Sequence, residues 1–115
     1  MIAIMSNRRY SIEEVLKFCK SNDIYIVNRK DRKNQLFKEM MGLTEEDLIK
    51  EIRNLRKEHL YNGPFLDRDV PNNYLYEFHK MVHSKWCYIK TTIDDKRIMV
   101  VRVISFHESE GIAYA

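Results

Sequence analysis

Two cysteines, two prolines, three glycines and a single tryptophan are all that this 115-residue chain has of those residues, and each scarcity excludes something. Cys19 and Cys87 supply neither a paired metal-ligand spacing nor a disulfide framework, and both sit in apolar patterns, so they read as buried thiols. So little glycine and proline, with no biased tract, rules out collagen-like repeats and disordered tails. Apolar runs such as Ile98–Val101 fall far short of the roughly 20 residues that a bilayer crossing needs, so no membrane span is expected. Met1–Tyr10 sets a short apolar patch ahead of Arg8 and Arg9, the reverse of a signal peptide's order, which predicts a cytoplasmic protein. The length predicts one domain, residues 1–115.

What the chain has in quantity is charge, 32% of its residues, with 20 Lys and Arg against 17 Asp and Glu. A net charge of +3 does not by itself mark a nucleic-acid binder. The distribution says more: residues 1–57 hold 13 basic and 9 acidic side chains, and residues 58–115 hold 7 and 8. The positive field is concentrated in the first half.

Ser11 and Glu14 have the capping-box spacing, and Ile12, Val15, Leu16 and Cys19 follow at helical intervals, predicting a helix to about Lys20. Ile24–Val27 reads as a short β-branched and aromatic strand. Asn28–Asn34 is a basic loop, either a solvated connection or a contact for RNA phosphates. A short helix, Gln35–Met41, ends at Gly42, where the left-handed conformation suits glycine. Thr44-Glu45-Glu46-Asp47 opens another helix with a cap and negative charge at its positive end. Leu48, Ile52 and Leu55 form its apolar side, while Lys50, Arg53 and Lys57 line up at i, i+3 and i+7 on an exposed basic face. Asn62-Gly63-Pro64 ends the helical half, Tyr61–Pro64 reading as a turn and Asp67–Asn73 as a loop.

The remainder predicts strands at Tyr74–Val82 and Trp86–Ile93, a turn at Asp94–Arg97, and a return strand at Ile98–Phe106. Helices first and sheet second predict an α+β domain, its helices on one face of an antiparallel sheet and the other face partly open. Alternation puts Cys87, Ile89, Thr91 and Ile93 on one face, and Trp86, Tyr88, Lys90 and Thr92 on the other. That second face is aromatic and basic, as a single-stranded RNA surface requires, although an aromatic pair on a strand also serves plain packing. An even hairpin loop sets His107 on the Tyr88 face and an odd loop separates them. Direct opposition of the two needs a bulge or a wide loop.

Gly42-Leu43-Thr44-Glu45-Glu46-Asp47-Leu48-Ile49-Lys50, Tyr88-Ile89-Lys90 and Ser105-Phe106-His107-Glu108, in that order, resemble the MqsR family of toxins across residues 10–108. That family comprises messenger-RNA endonucleases with a RelE-like α+β fold, each neutralised by a cognate antitoxin. The resemblance implies an endoribonuclease in which a 2′-hydroxyl attacks the adjacent phosphate without a metal or other cofactor. It carries the family's catalytic lysine onto Lys50 and its strand tyrosine onto Tyr88. Where the family has a lysine after the terminal Ser-Phe pair, this chain has His107, exchanging a fixed cation for a group that titrates near neutrality. The family's glutamine has no clear match, Leu75 and Glu77 being the two alternatives.

On this reading Lys50, Tyr88 and His107 are the catalytic set, His107 for proton transfer and Lys50 for the phosphate. Lys90, Arg53, Lys57 and Trp86 are the RNA contacts, and Tyr61–Pro64 with Asp67–Asp69, an insertion relative to shorter family members, is either a turn or a border of the RNA groove. Messenger RNA and an antitoxin protein are the expected partners. The alternative is a noncatalytic RNA- or protein-binding module on the same scaffold. A zinc site at His79, His83 and His59 would require Tyr74–Val82 to be helical.

Overall fold

The computed structural model describes residues 8–109, so most of the Met1–Tyr10 patch lies outside the described residues. Helix α1 (Ile12–Ser21) opens with the expected capping box. The Ser11 hydroxyl accepts from the Glu14 amide, and the Glu14 carboxylate accepts from the Ser11 amide. Strand β1 (Asp23–Ile26) follows, then α2 (Lys33–Met41), which ends on Gly42 at φ 66°. Helix α3 (Glu45–Arg53) is capped reciprocally by Thr44 and Asp47. A 3₁₀ turn, Lys57–His59, leads into β2 (Leu60–Leu66), β3 (Tyr74–Val82), β4 (Lys85–Asp94) and β5 (Val100–Glu108).

The domain is α+β, and its five strands form one sheet in the order β1-β5-β4-β3-β2. The sheet is mixed, which corrects the expectation of a purely antiparallel one. β2, β3, β4 and β5 pair antiparallel, whereas β1 runs parallel to β5 at the edge. The cause is topological: α2, α3 and three strands intervene before the chain returns beside β1, and such a crossover permits parallel pairing.

One sheet face is apolar. Phe78, Val82, Cys87, Ile89, Ile93, Val101, Val103 and Phe106 are buried there with Val15 and Cys19 of α1, Phe37 of α2, and Leu48 and Ile52 of α3. Both cysteines are fully buried and unpaired. β2 is a strand where the sequence signals read as a turn, because Gly63 and Pro64 punctuate it and its alternation is broken. Among the described residues no helix is long and apolar enough to cross a membrane.

Three register shifts interrupt the pairing, one on β5 and two on β2, the second of these between Asn62 and Phe65. On β5, Thr91 faces Val103 but Lys90 faces Ser105, leaving Ile104 as the extra residue. On β2, Leu60 faces Phe78 and Asn62 faces Glu77, so Tyr61 is the extra residue. A bulge changes which face the following side chains occupy.

Candidate functional site

The bulge on β5 decides the site. The loop from Asp95 to Met99 is odd in length, and continuing the pairing that starts at Asp94 with Val100 would bring His107 opposite Cys87, on the core face. The extra residue shifts the register by one, so that Tyr88 faces His107, Ile89 faces Phe106 and Lys90 faces Ser105. Phe106 thereby enters the core, stacking on Phe37 with centroids 5.8 Å apart, and His107 is delivered to the opposite face.

A bulge leaves backbone groups without ladder partners, and burying them unpaired is costly. Here the Asn34 side chain takes them up. Its Nδ2 donates to the carbonyls of Ile104 and Val27, at 3.0 Å each, and its Oδ1 accepts from the Phe106 amide at 2.8 Å. Asn34 stands in the first turn of α2 and is only 4% exposed.

On the face away from the helices, β2 to β5 and the loop before α2 enclose a cavity of about 450 Å³. Four rings cross its floor, one from each strand: Tyr61 over His79 at 4.2 Å, His79 to Tyr88 at 6.0 Å, and Tyr88 to His107 at 5.7 Å between centroids. Glu77 lies within it, facing Lys90 across the β3–β4 ladder. The Tyr88 hydroxyl donates to Glu77 Oε2, and Asn62 Nδ2 donates to Glu77 Oε1 at 3.3 Å. Burial first, then the hydrogen bond to Glu77 and its negative charge, push the Tyr88 phenol well above its ordinary value, so Tyr88 stays protonated and acts as a donor at neutral pH.

His107 Nδ1 lies 3.0 Å from the carbonyl oxygen of Glu108. A carbonyl only accepts, so Nδ1 carries the proton in this contact. Nε2 is left to act as a base when the ring is neutral and as an acid when it is charged. His79 is 9% exposed, and burial holds its imidazole below the usual histidine range, in the neutral form.

Positive charge comes from Arg29, Lys33 and Lys90, which all line the cavity. Arg29 is steered by two partners: Nη1 donates to Ser105 Oγ at 2.5 Å, and Nη2 pairs with Asp31 at 2.7 Å. Such an arrangement, a carboxylate and an imidazole beside a protonated phenol and three cations, suits a phosphodiester. It can take up one proton, deliver another and balance negative charge on phosphorus.

The structure unites Tyr88, Lys90 and His107 among the residues singled out in sequence, with Trp86 on the same face at 5.7 Å from the His79 ring. It separates Lys50 from them. Position 50 lies two residues from both Leu48 and Ile52, roughly 200° round the helix from each, and those two are buried in the core beneath the other sheet face. Lys50 is therefore exposed on the outer side of the helical layer. Arg53 is partly buried beside α1, its Nη1 donating to the carbonyls of Cys19 and Asn22 at 3.1 Å each. Lys57 lies beyond the end of α3 and pairs with Glu13 at 3.0 Å. The i, i+3, i+7 basic face fails because α3 stops at Arg53 and Asn54 caps it.

Arg29 and Lys33 belong to the basic loop read as a possible phosphate contact, and Glu77 was one of two alternatives for the family glutamine. Tyr61 and Asn62, read in sequence as a turn or a border of the RNA groove, lie on β2 and line the cavity. His79 lies on a strand, and among the described residues no group of three His, Cys, Asp or Glu side chains could hold a metal ion.

Comparison with protein-family models, curated proteins and solved structures returns no match.

Proposed function

We propose that the chain is an endoribonuclease that cleaves single-stranded RNA through the substrate's own 2′-hydroxyl. In this reaction the 2′-oxygen attacks the adjacent phosphorus while the P–O5′ bond breaks, leaving a 2′,3′-cyclic phosphate and a 5′-hydroxyl. Glu77 takes the 2′-hydroxyl proton, and the charged His107 gives a proton from Nε2 to the departing O5′. Tyr88, its hydroxyl donating to Glu77, holds that carboxylate in place, and Arg29, Lys33 and Lys90 offset the charge that builds on the phosphorane. Every proton and electron pair is accounted for by side chains of this chain and by the RNA.

The observation that carries this reading is the direct pairing of Tyr88 with His107, with Glu77 hydrogen-bonded to Tyr88, in a cavity flanked by cations. Its role as the toxin of a toxin–antitoxin pair, with a RelE-like fold, messenger RNA as substrate and a cytoplasmic site of action, is supported by the resemblance of its three segments to the MqsR family. Growth arrest on expression, relieved by a neighbouring small open reading frame, is the expected outcome.

The direct test is incubation of the purified protein with end-labelled RNA in the presence of a chelator. Cyclic-phosphate termini are expected, and their loss in Glu77→Gln and His107→Ala. RNA that is bound but stays intact would refute the enzyme and leave a noncatalytic binding module.

A further inference from the structure

We propose that Tyr61 is a stacking platform for an unpaired nucleobase flanking the cleaved phosphodiester, so that the substrate is single-stranded RNA gripped by one base beside the cut. This rests on the reading of the cavity as an RNA-cleaving site and names how that site holds its substrate.

Three observations carry it. Tyr61 is the extra residue of the β2 bulge, and with it both Tyr61 and Asn62 line the cavity, a placement that regular alternation forbids. The ring is already braced from below, lying nearly parallel to His79 at 4.2 Å with an interplanar angle of 21°. It is nevertheless 55% exposed, with His79 stacked against one face.

A large aromatic held flat against a support, its outer face in water, is suited to stacking on a base, because every base offers a π face. Position agrees with this role. Tyr61 on β2 lies two strand spacings from Tyr88 on β4, roughly 10 Å across the sheet, a span of one to two nucleotides of extended strand. His79 Nε2, buried and without a hydrogen-bond partner among the described residues, lies in the imidazole beneath the platform. The bases of a duplex are stacked within the helix and leave no face for Tyr61, so the platform selects single strands.

The test uses a fluorescein-labelled oligoribonucleotide carrying 2′-O-methyl groups throughout, which cannot be cleaved by internal attack, and a set of the same oligomer with one abasic position each. Anisotropy should show binding that weakens about tenfold at one abasic position with wild type and with Tyr61→Phe. Tyr61→Ala should bind the intact oligomer about tenfold more weakly than wild type and be indifferent to that abasic position.

Wild-type affinity in Tyr61→Ala would overturn the platform. So would an equal loss by this variant on intact and abasic oligomers, which would mean a loosened edge strand, and so would equal binding of a duplex. Failure of the nuclease reading looks different: unmodified RNA would stay whole while the Tyr61-dependent preference for a base persisted.

Discussion

Asn34→Ala tests whether the bulge on β5 is held from outside the strand. The substitution removes three hydrogen bonds, one buried and two part-buried, and leaves the Phe106 amide and the carbonyls of Ile104 and Val27 without these partners. An unsatisfied buried group costs about 1–3 kcal/mol, with the strand relaxing to recover part of the loss, so a total near 3 kcal/mol is expected. That is a large share of the roughly 5–15 kcal/mol that keeps a domain folded. With a urea slope of about 1.5 kcal/mol/M, the unfolding midpoint should fall by about 2 M. The single tryptophan, Trp86, reports the transition by its fluorescence. RNA cleavage, measured where the variant is still folded, should drop by more than tenfold, because the register that delivers His107 depends on the same amide. Asn34→Asp should not rescue it: the acceptor for Phe106 survives, but a carboxylate then faces two carbonyl oxygens. A midpoint within about 0.3 M of wild type would refute the reasoning and show that the bulge holds itself.

Other outcomes follow from the same geometry. His107→Ala should lose RNA cleavage, while Lys50→Ala, on the far side of the helical layer, should cleave within about twofold of wild type, as product quantification on gels would show. Raising pH should reveal Tyr88 and Tyr10, whose folded values are both elevated, the latter to about 12. Their stabilisation is complete below the ordinary tyrosine value of about 10 and is lost as pH rises through the folded values, so Tyr88→Phe should lose stability less steeply above pH ~10 in alkaline urea titrations. The Cys19 and Cys87 thiols, both pushed by burial to about 12, should ignore a disulfide reagent until the protein unfolds. Gly63→Ala should detach β2, because an added Cβ would lie 2.7 Å from the Leu75 carbonyl oxygen at a φ of 121°. Hydrogen exchange along Leu60–Leu66 should then rise.

The helices were legible because their signals are local. Ser11 with Glu14, Thr44 with Asp47, and Gly42 each fix an end without reference to the rest of the chain. The strands Tyr74–Val82 and Trp86–Ile93 were legible through their β-branched and aromatic content, and alternation gave Tyr88 and Lys90 one face. What escaped was set by distant pairing. The parallel docking of Asp23–Ile26 beside β5 depends on a crossover, and β2 hides behind Gly63 and Pro64. The end of α3 at Arg53, capped by Asn54, has no glycine or proline beside it to mark the stop. The bulge on β5 did leave a trace, since the core residues Val101 and Val103 are odd-numbered and Phe106 is even. Asn34, on which that switch leans, looks in sequence like any polar residue of a loop.

Because Val101 and Val103 take one phase of the pleat and Ser105 and His107 the other, Ile104 is surplus to the ladder, a residue the strand steps over. Losing its codon in frame would leave serine, phenylalanine and histidine opposite Lys90, Ile89 and Tyr88 in unbroken alternation, whereas one residue added there would set phenyl beside Tyr88 and bury the histidine. In a saturation library scored for RNA cleavage, this position should tolerate most substitutions and the deletion, and reject an insertion.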